Sequence, residues 1–210
     1  MIVKSLSVRN FRCIKEESLD CENLTALVGG NGSGKSTFLR AIDLFYAASP
    51  HLSIHDFYGR DQQHDIEIAV TFTDLTPLER ERFESRLLSD ELQVVRVFDA
   101  NGGKSNGSYY GFTRQLPEFA EVRALSGREM LNAYRALKEK GFELSPVRSQ
   151  ADAEEELSKW EAIPENKDKL EYARDDGKFF GFSNVARGYL GDITKFIFIP
   201  AVRDAAYDRS

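Results

Sequence analysis

Long apolar runs are missing from this 210-residue chain. No stretch approaches the ~20 residues that a membrane helix needs, which excludes a membrane-spanning helix. Cysteine is scarce as well. The only two, Cys13 and Cys21, lie close together, and the opening MIVKSLSVRNFR alternates and carries charge like a strand rather than a secretory leader. Reduced, buried thiols of a cytoplasmic protein are expected, not a disulfide. Nor is there an excess of positive charge. Lys and Arg number 28 against 34 Asp and Glu, for a net charge of −6, which excludes a protein that coats itself with DNA through charge alone but leaves room for a local basic patch. Internal repeats and low-complexity linkers are also lacking. What is there, 41% hydrophobic and 30% charged residues, suffices to bury a core of ordinary domain size.

Periodicity gives the elements. Ile2 to Arg9 alternates as a half-buried strand, and Asn23 to Val28 reads as a short apolar strand. Phe38, Ala41, Ile42 and Phe45 recur at helical spacing, so Ser36 to about Ala48 is expected to be an amphipathic helix stopped at Ser49-Pro50. Ile66 to Phe72 alternates strictly. Thr76-Pro77-Leu78-Glu79 is a capping box with proline at the first helical position, and a helix is expected to about Leu88. Leu92 to Phe98 reads as a strand, and the turn signals Asn101-Gly102-Gly103 and Asn106-Gly107 precede a returning strand, Tyr109 to Phe112. Ser126 to Lys140 reads as a helix that opens on a Ser126–Glu129 capping box and ends at Gly141. Ser149 to about Asp176 reads as a charged helical segment, and 196–199 (FIFI) as a core strand. The expected organisation is one lobe over 1–210: strand, loop and helix in 1–48, an antiparallel sheet with one helix in 66–112, a helical insertion in 126–176, and the core strand 196–199. The class is α/β.

Between the strand at 23–28 and the helix stands LVGGNGSGKST, residues 27–37, with four glycines in eleven positions. It fits G-x-x-x-x-G-K-[ST], a P-loop, in the required place between strand and helix. The chemistry explains the spacing. A polyphosphate must be met by inward-turned backbone N–H groups, which glycine permits. The adjoining helix N-terminus adds unpaired N–H groups and a favourable dipole. Gly30, Asn31, Gly32, Ser33, Gly34, Lys35, Ser36 and Thr37 are therefore the candidate ATP-binding residues. Lys35 is placed to reach the β- and γ-phosphates as the candidate catalytic group, Asn31 the γ-phosphate or attacking water, and the Ser36 hydroxyl to ligate Mg²⁺.

The segments IVKSLSVRNFRCI and NLTALVGGNGSGKSTFLRAI, residues 2–14 and 23–42, resemble the N-terminal lobe of the ABC-type ATPases of DNA maintenance, RecF and the SMC proteins among them. IEIAVTFTDLTPLERERF and FIFIPAVRDA are similar, more specifically, to the OLD (overcoming lysogenization defect) family of ATP-dependent nucleases. The resemblance implies an ABC-type ATPase that binds ATP and Mg²⁺, dimerises head to head, and gates a Toprim DNA endonuclease lying outside this chain, in DNA repair or phage defence. It also implies a cytoplasmic enzyme with DNA as partner of the whole protein. An alternative from the same relatives is an SMC- or RecF-like ATPase that clamps or loads DNA without cutting it. A transporter subunit would need a signature loop and an acidic Walker B strand within this length. LQVVRVFDA is interrupted by Arg96, IEIAVTFTD alternates, and FIFIPA has no acid, so none qualifies. Poor ATPase activity of this chain alone is expected. ALSGREM, 124–130, is explained locally as a helix start. By resemblance Arg12 approaches the nucleotide; by pattern it is equally a surface arginine after a strand.

Weaker signals have plain readings. His51, His55, Asp56 and His64 sit in a loop that no helix aligns as metal ligands. Tyr109, Tyr110 and Phe112 read as packed strand aromatics rather than a base-stacking hairpin. Arg203 and Asp204 stand where ABC proteins carry a glutamine, which leaves a γ-phosphate sensing role unsupported.

Overall fold

The computed structural model describes residues 1–100, 106–175, 177, 194, 196, 197 and 199. Its strands are β1 (Ile2–Phe11), β2 (Ile14–Asp20), β3 (Ile66–Thr73), β4 (Leu87–Leu88), β5 (Glu91–Phe98), β6 (Ser108–Tyr110), β7 (Phe112–Gln115) and β8 (Glu171–Arg174). Its helices are α1 (Lys35–Tyr46), α2 (Pro77–Phe83), α3 (Pro117–Arg123), α4 (Gly127–Glu139) and α5 (Gln150–Ala162). One sheet runs in the order β2-β1-β3-β5-β4 with β6 on β5, and β7 pairs with β8 in a second. The architecture is α/β. Among the described residues no helix is long and apolar enough to cross a membrane.

The chain forms two compact bodies. The first holds Ile2–Thr71 and the described parts of Val95–Tyr109 and of the last residues. Leu6 and Val8 of β1 and Ile66, Ile68 and Val70 of β3 point inward as the alternation requires. β2 was not foreseen. It pairs antiparallel with β1, Leu6 opposite Leu19 and Phe11 opposite Ile14, and its consecutive residues Lys15 to Ser18 are all exposed and mostly charged, which suits a strand at the end of the sheet order. The hairpin turn is Arg12-Cys13, with Arg12 at φ 53°. α1 buries Thr37, Ala41 and Phe45, an i, i+4 stripe.

One expected strand is not formed, and the other lies only partly among the described residues. Residues 23–28 carry no strand, and Leu24 and Val28 are 89% and 93% exposed. In the run 196–199, residues 196, 197 and 199 are described; they carry no strand, and Ile197 and Ile199 are 68% and 71% exposed. Apolar sequence favours a strand only when a neighbour offers its hydrogen-bonding edge, and no described strand pairs with either run.

The second body holds Met1, Phe72–Val94 and the described part of Tyr110–Phe179. The capping box opens α2 as expected: the Thr76 N–H donates to Glu79 Oε2 at 2.7 Å and the Glu79 N–H to Thr76 Oγ1 at 3.4 Å. α2 stops at Phe83, short of the expected Leu88, because the chain turns through a 3₁₀ segment, 84–86, into the β4–β5 hairpin, whose Ser89 and Asp90 both have positive φ. α3, α4 and α5 close over Leu116, Phe119, Val122, Met130, Tyr134, Leu137, Leu144, Ala153 and Leu157. The rings of Phe119, Phe142 and Trp160 meet edge-on or tilted at 5.0–5.5 Å. α4 begins where expected, but the Ser126 side chain makes no cap hydrogen bond; Gln150 Oε1 accepts from the Gly127 N–H instead, at 3.3 Å. Beyond α5 the charged segment is not one helix. It gives a 3₁₀ turn, 164–169, and then β8, held by Asp175, whose carboxylate accepts from the Gly111 N–H (3.0 Å) and Arg86 Nε (3.0 Å).

Candidate nucleotide-binding site

Gly29 to Ser33 lie exposed ahead of α1, and Gly34 is half-buried. Gly32 and Gly34 have φ of 83° and 89°, where an L side chain is strained, so glycine is required at these two positions. Gly34 is the N-cap of α1. It offers no side-chain cap, and the first turn holds no acid. The free N–H groups and the positive dipole end are thus left to an outside anion. Lys35 folds back on the loop: Nζ donates to Gly29 O and Gly30 O, both at 2.7 Å, and to Ser33 Oγ at 3.2 Å. The ammonium therefore sits at the centre of the glycine loop, within reach of any group the loop encloses. Ser36 is exposed beside it, and Thr37 is buried. The donor set is chemically suited to a polyphosphate with a hard cation: backbone N–H groups and one ammonium for the phosphates, one hydroxyl oxygen for Mg²⁺.

Arg12 is placed by the β1–β2 turn. Its N–H donates to Asp56 O at 2.8 Å, and its guanidinium forms a 3.0 Å ion pair with the Asp56 carboxylate while remaining partly exposed. The turn's next residue, Cys13, lies against α1 with Sγ 3.2 Å from Thr37 Oγ1. Sequence reasoning treated Cys13 only as a reduced thiol; no spacing rule links residue 13 to residue 37. Both cysteines are free; Cys13 is exposed rather than buried, and Cys21 is partly buried, with burial pushing its thiol pKa up.

The weaker signals resolve as structure. His64 pairs with Asp61, Nδ1 to Oδ2 at 3.3 Å, and His51 Nδ1 lies 3.1 Å from Ser49 O. No cluster of three or more His, Cys, Asp or Glu side chains placed to hold a metal ion occurs among the described residues. Tyr109 is buried, Phe112 stacks on Tyr172 at 5.5 Å, and the Arg174 guanidinium lies over the Tyr110 ring. Arg203 and Asp204 lie outside the described residues.

A glycine loop with obligatory positive φ, an inward lysine and an uncapped helix start, in an α/β frame, defines the P-loop NTPase class. Residues 1–206 match the family model described as AAA ATPase domain, and the chain belongs to that family. An OLD nuclease of Thermus scotoductus is 45% identical over 76 residues, which cover 34% of this chain and 14% of that protein. The chain thus matches a small part of the length of this curated relative. A solved structure from work on ATP-driven dimerization and DNA-stimulated activation of SMC ATPases is similar over 79% of this chain and 95% of that one, at 20% identity and a TM-score of 0.37.

Proposed function

We propose that the chain is the ATP-binding lobe of an OLD-like, ABC-type ATPase, and that in the whole protein its nucleotide cycle gates a Toprim DNA endonuclease in DNA repair or phage defence. The observation that carries the reading is the α1 start: Gly34 at φ 89°, no side-chain cap, and Lys35 drawn into the loop. Gly30 to Thr37 hold the phosphates, Lys35 meets the β- and γ-phosphates, and Ser36 ligates Mg²⁺. ATP supplies the phosphoanhydride bond, and these residues orient it. Arg12, released from Asp56, approaches the same nucleotide.

The exposed apolar residues Leu24, Val28, Ile197 and Ile199 fit a lobe whose central sheet is completed by another segment of the enzyme, which also brings the Walker B acid and, from a second copy, the signature loop. The enzyme acts as a cytoplasmic homodimer on DNA. Titration of the chain with MgATP in a calorimeter tests the reading, alongside a steady-state phosphate-release assay. Binding with a hydrolysis rate near background is expected. No heat of binding at millimolar MgATP, or fast hydrolysis by the chain alone, would overturn it.

A further inference from the structure

Arg96, in the middle of β5, is 0% exposed. Among the described residues it has no carboxylate partner: its surroundings are carbonyls and rings. Nη1 donates to Leu44 O (2.7 Å) and Phe45 O (3.1 Å) in the last turn of α1 and to Ala47 O (2.8 Å) at its C-cap, and Nη2 donates to Asn106 O. The guanidinium lies over the rings of Phe98 and Tyr109, 4.7 Å from each centroid. Tyr109 adds its own hydroxyl to Phe45 O. Nε has no hydrogen-bond partner among the described residues.

A buried cation without a counter-charge is costly, and packing alone would favour an apolar residue such as the neighbouring valines. Burial holds the Arg96 pKa below its ordinary value. What offsets this is the negative end of the α1 dipole and two ring faces. The arrangement ties one helix end, that of the helix whose other end is the P-loop, to β5 and to the 106–109 segment.

We infer that Arg96 is a positioning residue for nucleotide binding: by locking the last turn of α1 it sets the angle at which the helix presents its first-turn amides and Lys35 to the phosphates. The inference rests on the nucleotide-binding reading above. Leverage supports it. A helix of 12 residues is about 18 Å long, so a tilt of about 10° at the anchored end displaces the phosphate end by about 3 Å, a full hydrogen-bond length.

The test uses the chain with Mg²⁺ and a fluorescent ATP analogue, read by anisotropy well below the melting temperature. Arg96→Met, shown folded by circular dichroism, is expected to bind about 10-fold more weakly as the competent orientation loses population. Arg96→Lys should recover part of the loss. Ile68→Ala, a core truncation on another strand of the same body, should lower the melting temperature yet leave affinity within about twofold of wild type. Wild-type affinity in folded Arg96→Met, or an equal loss in Ile68→Ala, overturns the inference. Should Arg96→Met not fold, Arg96→Lys and Tyr109→Phe decide it: about threefold weakening in each supports it, and wild-type affinity in both overturns it. A wild-type chain that binds no analogue instead removes the nucleotide reading itself, and the inference with it.

Discussion

Gly34→Ala separates backbone strain from steric clash at the phosphate loop. A Cβ built on Gly34 meets Cys13 Sγ at 3.6 Å and an Ile14 carbon at 3.8 Å, ordinary contact distances, so space is available. The backbone is the obstacle: φ is +89°, and holding an L residue in left-handed geometry costs about 1–2 kcal/mol. Because Gly34 is also the N-cap of α1, relaxing that angle turns the first-turn amides away from the loop. The loop should then reach its present conformation about 5–30 times less often, and affinity for MgATP should fall by the same factor. Gly59→Ala is the control. Gly59 has φ +62° and open space around its Cβ, so the substitution carries comparable strain outside the glycine loop. Anisotropy with a fluorescent ATP analogue, paired with thermal melts, reads both. Lower melting temperatures in both variants and weakened binding in Gly34→Ala alone are expected. Wild-type binding by Gly34→Ala, or equal weakening by Gly59→Ala, would refute the argument.

Lys35→Ala removes the ammonium that now bonds Gly29 O, Gly30 O and Ser33 Oγ. Those acceptors are exposed and water can replace it, so melting should barely change, while a lost charge-assisted hydrogen bond of about 1.5–3 kcal/mol should weaken MgATP binding about 10–150-fold by calorimetry; unchanged affinity sinks the site assignment. Phe119→Ala, in the three-ring cluster of the second body, should cost about 3–5 kcal/mol in urea unfolding followed by the single tryptophan, Trp160, and a loss under about 1 kcal/mol contradicts the packing described. Burial alone would raise the Glu79 pKa, but hydrogen bonds from Thr76 and the Met1 amino group outweigh it and hold it below the ordinary value. Its contribution is therefore full above the unfolded pKa of about 4.3 and fades as pH falls through the lower folded value. Thermal melts from pH 6 down to about 2.5 should converge for wild type and Glu79→Gln; a constant gap between them would show that Glu79 ionisation is not coupled to folding.

What the residues determine by themselves is what short-range chemistry decides. The glycine loop needs only its own backbone freedom and the helix that follows, so Gly32 and Gly34 take positive φ and Lys35 folds back on the loop. The Thr76–Glu79 box closes within four residues, and the alternation Ile66–Ile68–Val70–Phe72 orients β3 unaided. Tertiary structure decided the rest, because a strand exists only if a distant edge pairs with it and a side chain's partner can lie anywhere along the chain. Residues 23–28 are apolar but unpaired, residues 171–174 are polar but become β8 opposite β7, and α2 is cut short by the hairpin beyond it. Arg96 is the clearest case. In the pattern it is a flaw in an apolar strand; in the fold it is the cation at the far end of the P-loop helix, some fifty residues away in sequence.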